Sequence, residues 1–242
     1  MAKATRTITP MLPAQTGAVD GLAYTLWLPP SPQPPARAGV VILHGAGSCK
    51  ENHHDYARVA LAAGVAALTF DQRGHGESDG PMDGRAIDDV ASMATLLRSS
   101  TGAPALPVAL RGSSMGGYFA IVGAAAADAC AVVAICPAPP EGLVRGLRAG
   151  KFSFAANVGA LEALLTSHDL FAAVTALRAP LMLMHAEGDE QVPVELSREL
   201  IASARLPASR LIAMPGGHHR SIQHDEELQV VSLRFIKQAL AP

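Results

Sequence analysis

Short apolar runs rich in β-branched residues recur along this chain, and longer stretches with helical periodicity separate them. Val40-Val41-Ile42-Leu43 is the clearest run. Four consecutive apolar residues suit a strand covered on both faces, since a half-exposed strand would alternate. Similar runs predict strands over Val65 to Phe70, Pro107 to Arg111, Ala131 to Cys136, Leu181 to His185 and Arg210 to Met214. The alternating stretch Leu22 to Leu28 predicts a strand before them. Helical patterns cover His53 to Ala63 (closed by Gly64), Asp83 to Ser99, Met115 to Ala127 and Leu228 to Leu240. Strands alternating with helices at this spacing imply βαβ units and a parallel sheet. A length of 242 residues suits one such domain over 1–242 and is short for two.

Composition narrows the function. Lys and Arg number 19 against 21 Asp and Glu, a net charge of -2 with both signs scattered. The basic footprint needed to bind a phosphate backbone is missing, so no nucleic-acid partner is expected. Cys49, Cys130 and Cys136 form no CxxC pair, which suits reduced thiols in an intracellular protein. Cys49 follows a Gly-rich turn but has no flanking glycines of the kind a nucleophile turn needs. Residues 1–20 contain Lys3 and Arg6 but no apolar core of a signal peptide. No apolar run approaches the roughly 18 residues of a membrane span. A soluble cytoplasmic protein without a membrane partner is the resulting expectation. The tract Pro29 to Pro35 reads as a stiff connection, because proline lacks the donor that strands and helices require.

The ends of three predicted strands carry polar residues, where ligands bind in open parallel sheets. Gly112-Ser113-Ser114-Met115-Gly116 joins the strand ending at Arg111 to the helix starting near Met115. G-x-S-x-G between strand and helix is the pattern of a nucleophile elbow: a sharp turn exposes the serine, and the glycines relieve its clashes. A serine hydroxyl needs a general base and an orienting carboxylate. Asp189 follows the strand Leu181 to His185, while His218 and His219 follow Arg210 to Met214. Ser, Asp, His is the chain order expected of this strand-turn-helix type. A metal reading of His218, His219 and His224 lacks an Asp or Cys to complete a ligand set. A phosphate-loop reading of Gly45 to Lys50 lacks the second glycine before Lys50 and the Ser or Thr after it.

These motifs together resemble the α/β-hydrolase superfamily, particularly compact esterases similar to dienelactone-hydrolase-like and serine-aminopeptidase-like members. The resemblance rests on His44-Gly45, Asp71-Gln72-Arg73-Gly74-His75-Gly76-Glu77-Ser78, the elbow, Gly188 to Pro193, and Gly217-His218-His219, and spans roughly residues 40–240. It implies an α/β-hydrolase fold, a mostly parallel central sheet with helices on both faces and a short cap insertion at 137–179. It also implies Ser114 as nucleophile, Asp189 as acid and His219 as base, with His218 in a variable slot. Backbone N–H groups of Ala46 and Met115 would form the oxyanion hole. Glu141 is the alternative position for the acid, and the turn Asp71 to Ser78 is expected to be structural. His53, His54 and Tyr56 are candidates for the pocket wall, as are Phe152, Phe154, Leu161, Leu164, Leu165 and Phe171. Arg145, Arg148 and Lys151 recur every three residues, as a solvated helix face or a positive edge near the site.

The expected activity is hydrolysis of small-molecule carboxylic esters through an acyl-enzyme, with no cofactor and no metal. Hydrolysis of small amides, peptides or thioesters by the same triad is the alternative. A non-catalytic ligand-binding chain of this fold is the alternative of another class; a serine, an aspartate and a histidine at three separate strand ends speak against it.

Overall fold

Asp20 and Gly21, at φ 51° and 77°, turn β1 (Gln15–Val19) back onto β2 (Leu22–Trp27) in an antiparallel hairpin. The computed structural model describes residues 11–30 and 35–239. Expectations for residues 1–10 and for Ser31 to Pro34 of the proline tract therefore lie outside the described residues, as does Leu240. After the hairpin come β3 (Gly39–Leu43), α1 (His54–Ala62), β4 (Ala66–Phe70), α2 (Ala86–Ser100), β5 (Val108–Ser113) and α3 (Met115–Val122). The chain continues through β6 (Ala129–Ile135), α4 (Pro140–Arg148), α5 (Val158–Ser167), α6 (Leu170–Ala176), β7 (Leu181–Ala186), α7 (Val194–Ser203), β8 (Arg210–Met214) and α8 (Glu226–Ala239).

The eight strands form one sheet in the order β1-β2-β4-β3-β5-β6-β7-β8. β1 and β2 run antiparallel to their neighbours, and every later pairing is parallel. β3 sits between β4 and β5, with Val41 opposite Leu68 and Leu110. Side chains alternate across its plane. Val41 and Leu43 join a core shared with Val90, Met93 and Leu97 of α2 and Phe119 of α3, while Val40 and Ile42 join Tyr56 and Ala60 of α1 and Ile236 of α8. Burial on both faces is why β3 lacks polar positions.

Two elements escape the apolar pattern. β1 is exposed along most of its length, so its residues carry no burial signal, although Asp20-Gly21 is a strong hairpin dipeptide. α7 buries only Val194, Ser197 and Leu200. α3 ends at Val122 rather than Ala127, because Ala124 to Asp128 form the turn into β6, with Asp128 at φ 49°. α2 starts at Ala86 rather than Asp83, whose carboxylate instead accepts the Arg85 N–H at 2.9 Å in the preceding turn.

Histidines lock the loops that leave β3 and β4. His44 Nε2 accepts the Gln72 N–H at 3.0 Å, and its Nδ1 meets the Gly45 carbonyl at 2.8 Å. Those partners put the proton on Nδ1 of a neutral ring. Burial, helped by nearby His75, pushes His44 down to about 4. His53 is buried at the start of α1, and neither of its ring nitrogens has a partner among the described residues. Burial, with Arg111 close by, pushes it down to about 3.

The sign of the pH effect follows. The unfolded chain takes up these protons near the ordinary histidine value, whereas the native rings stay neutral to much lower pH. Stability therefore falls as pH drops below about 6.5, by about 1.4 kcal/mol per pH unit for each ring, and the loss levels off below the native values. Urea midpoints should decline steadily between about pH 7 and pH 4.5, and His53→Leu should make that decline shallower. A flat profile over this range would contradict neutral burial of the two rings.

Candidate active site

The turn from β5 into α3 holds Ser114 at φ 53° and ψ -118°, a backbone conformation that L-residues rarely adopt. The two flanking glycines are required sterically. A Cβ on Gly112 would lie 2.0 Å from the Gly116 carbonyl oxygen, and one on Gly116 would lie 2.4 Å from that of Leu43 and 2.5 Å from that of His44. Hydrogen bonds clamp the strained residue to the next strand: Ser114 N–H donates to the Ile135 carbonyl at 2.8 Å, and the Ser114 carbonyl accepts from Ala138 N–H at 3.1 Å. Met115 opens α3, so its N–H belongs to the first turn, where no intrahelical acceptor exists.

Asp189 and His219 arrive from β7 and β8. Glu187 N–H bonds the Met214 carbonyl at 2.8 Å and Gly188 N–H bonds that of Gly216 at 2.9 Å, tying the two strand ends together. His219 Nδ1 meets Asp189 Oδ2 at 2.7 Å. The other carboxylate oxygen accepts the N–H groups of Gln191 at 2.8 Å and Val192 at 2.9 Å. Burial alone would raise the Asp189 pKa, but Val192 N–H, His219 and Gln191 N–H outweigh it and hold the carboxyl below its ordinary value. An ionised Asp189 keeps the His219 proton on Nδ1, which leaves Nε2 with its lone pair.

Two side chains beside Asp189 carry no motif signal. His185, the fifth residue of β7, is fully buried. Its Nε2 lies 2.9 Å from the Val192 carbonyl and 3.3 Å from Asp189 Oδ2, while its Nδ1 meets Ser197 Oγ at 2.7 Å. Two oxygen acceptors fix the proton on Nε2, and Ser197 then donates to Nδ1. The His185 pKa is lowered by burial. Cys136, at φ 43° just past β6, is buried near the same carboxylate. Burial, then the charge of Asp189 and its hydrogen bond, push the thiol well up, so it stays protonated. Cys136, Asp189 and His219 are the one trio of possible metal ligands that the described residues gather, with atoms within 4.8 Å of one another. The Asp189–His219 hydrogen bond already engages two of the three.

Ser114 lies where two lobes of a cleft meet. One lobe, of about 580 Å³, is lined by Ala46, Ser114, His219 and His224 among others. The other, of about 910 Å³, runs from Ser114 along α4. Gly45 brings the Ala46 loop against the elbow, since a Cβ there would sit 3.4 Å from Ser114 Cβ. The turn after β4 supports this loop: Gln72 Nε2 donates to the His44 carbonyl at 2.6 Å and Gly47 N–H donates to His75 Nε2 at 3.1 Å. Lys50 joins the two segments through Asp71 Oδ2 at 2.9 Å and Glu77 Oε2 at 2.6 Å. His75 is thus engaged in holding the loop.

Other candidates fall elsewhere. His218 is exposed, accepts Arg220 N–H at Nδ1 at 3.2 Å, and makes no contact with Asp189. His224 Nδ1 meets Asp55 at 2.9 Å, so the three histidines of the metal reading do not converge. Glu141 is exposed in the first turn of α4 and lines neither lobe. Burial and neighbouring Glu51 raise the Cys49 thiol pKa. His53 and Tyr56 are buried and, like His54, line neither lobe; the Arg111 guanidinium lies 3.9 Å from the Tyr56 ring centroid. Of the six apolar candidates in residues 152–171, only Phe152 lines the cleft, joined by Leu143. Leu161 and Leu165 are core residues, and Phe154 stacks on His75 at 4.2 Å.

Residues 34–145 match the family model described as serine aminopeptidase, S33, a span that includes the Ala46 loop, the Asp71–Ser78 turn and the elbow. The chain is 26% identical over 245 residues to the uncharacterized protein YfhR of Escherichia coli O157:H7, covering 93% of this chain and 80% of that one. Among solved structures, Est1E of Butyrivibrio proteoclasticus with bound ferulic acid superimposes with a TM-score of 0.70 at 21% identity, over 94% of this chain and 98% of the other. A soluble variant of the monoglyceride lipase of Saccharomyces cerevisiae, in complex with a substrate analogue, gives 0.73 at 18% identity over 99% and 98%. Strand order, the elbow between β5 and α3, and the structural matches show that the chain has the α/β-hydrolase fold, and within it residues 34–145 are similar to the serine aminopeptidase, S33 family.

Proposed function

We propose that this chain is a serine esterase that cleaves small-molecule carboxylic esters with short to medium or aryl acyl groups. The observation that carries the reading is the 2.7 Å hydrogen bond between His219 Nδ1 and Asp189, in a cleft whose wall also includes the strained Ser114. Est1E with its bound ferulic acid and the monoglyceride lipase with its substrate analogue lend support from the same fold.

The steps follow from the residue chemistry. Ser114 Oγ attacks the ester carbonyl carbon as His219 Nε2 takes its proton, and Asp189 stabilises the imidazolium. The carbonyl oxygen becomes an oxyanion held by the N–H groups of Ala46 and Met115, each worth about 3 kcal/mol of barrier. The tetrahedral centre collapses, the C–O bond to the alcohol breaks, and His219 returns the proton to the leaving oxygen. Water then attacks the acyl-enzyme by the same route and releases the acid and free Ser114. The helices between β6 and β7 act in this scheme as a short cap over a single domain. A cytoplasmic setting accords with three free thiols.

A second reading, hydrolysis of small amides or peptides by the same residues, draws on the description of the matched family model. Rates on p-nitrophenyl acyl esters and aminoacyl p-nitroanilides separate the two: esters should be turned over faster, and the reverse ranking would favour the amidase. Ser114→Ala should lose at least about 10³-fold in kcat and all labelling by a fluorophosphonate. Turnover of neither substrate class together with an unlabelled wild type would reject both enzyme readings.

The histidine assignment has its own test. His219→Ala should lower kcat by about 10³-fold or more, while His218→Ala should stay within a few-fold of wild type. The opposite ranking would transfer the base role to His218.

A further inference from the structure

The cleft around Ser114 has a charge character that the rest of the chain lacks. Acidic residues outnumber basic ones, 21 to 19, yet the lining of the two lobes contains Arg145, Arg148, Lys151 and Arg220 and no aspartate or glutamate. Arg148 is neutralised by an ion pair with Glu162 of α5. Arg145, Lys151 and Arg220 have no carboxylate within ion-pair distance among the described residues. Lys151 lines both lobes, as Ser114 does.

Cations in the last turn of a helix have an ordinary explanation, since they offset the negative end of the helix dipole. That explanation covers Arg145 and Arg148. It does not extend to Lys151, which follows the helix, or to Arg220, which comes from the loop after β8. Residues from two remote parts of the chain put the same sign of charge on one concave surface. Between the cations, the lobe is walled by Gly142, Leu143 and Ala149, with the Phe152 ring filling the space beside Gly146.

Building on the esterase reading, we infer that the preferred substrates are esters carrying a second, anionic group, a carboxylate or phosphate, held by Lys151 and Arg145 while the ester carbonyl meets Ser114. A concave surface of one charge sign concentrates oppositely charged ligands and speeds their capture. Because these cations are exposed, salt should screen the effect strongly.

The test compares p-nitrophenyl half-esters of linear dicarboxylic acids, four to eight carbons long, with the methyl-capped neutral ester of each. At low salt the anionic member should have a kcat/KM about tenfold higher for at least one chain length. That ratio should shrink toward one in about 0.5 M NaCl and in the Lys151→Gln, Arg145→Gln double variant. A matched series with a terminal phosphate distinguishes the two anions. Neutral esters turned over as fast as or faster than every anionic partner at low salt would overturn the inference and leave the esterase reading intact. A ratio unchanged by salt and by the double variant would overturn the role of these two cations. Loss of all ester turnover and of Ser114 labelling would instead defeat the esterase reading, and the substrate inference with it.

Discussion

The close approach of the β5–α3 turn to the end of β3 governs the geometry of this cleft. Gly116 lies so near the Leu43 and His44 carbonyls that no side chain fits between them. That contact seats the first turn of α3 against the loop carrying Ala46, and it holds Ser114 in a backbone conformation outside the ordinary basins. Such a residue costs about 1–3 kcal/mol and persists only where its surroundings over-determine it. Here they are the hydrogen bonds to Ile135 and Ala138 and the parallel ladder of β5 between β3 and β6. Among the described residues, four non-glycine residues have positive φ. Two are aspartates in turns, where short polar side chains tolerate the conformation. The other two, Ser114 and Cys136, follow adjacent strands at the same edge of the sheet.

Around that contact, each loop of the cleft rests on buried polar groups. His44, Gln72, His75 and the Lys50–Asp71 pair hold the Ala46 loop. His185, Ser197 and the Val192 backbone hold Asp189. Both histidines that brace these loops at strand ends are kept neutral by burial and have fixed tautomers, so they act as directional hydrogen-bonding pieces. This supporting layer lets exposed, glycine-rich loops keep one geometry without bulky packing of their own.

The residues of the candidate site were legible because the chemistry needs specific side chains at strand ends, and buried parallel strands advertise themselves as apolar runs. Ser114, Asp189 and His219 could each be picked out beside such a run. Adjacent His218 and His219 could not be separated by spacing alone. The fold separates them through Gly216 and Gly217, both at positive φ, which aim one imidazole at Asp189 and the other at solvent. His185 went unread because it looks like the ordinary end of an apolar strand, and Cys136 could be placed only at a strand end near the site, with no role beside Asp189. Their roles arise from what β7 and β6 bring next to Asp189, a long-range fact with no local signature. β1 was hidden for the opposite reason: an exposed edge strand has no burial to record. The pocket wall was the least legible part, because apolar residues in short helices serve core and cleft alike, and only packing separates Phe152 from Leu161.

The electrostatics of the cleft separate into two regions. The Asp189 carboxylate lies deep, where His219 and two backbone N–H groups satisfy it, and the exposed Glu190 carboxylate accepts the His219 N–H at 3.2 Å. The cations lie on the rim, where Arg145, Lys151 and Arg220 face solvent across the mouth. This separation lets one site do two electrostatic tasks without conflict. The buried Asp189 carboxylate orients the His219 ring, while the rim acts on whatever approaches from solution. Exchanging rim charges would alter capture far more than chemistry, because solvent screens the rim and the Asp189–His219 bond is shielded from it.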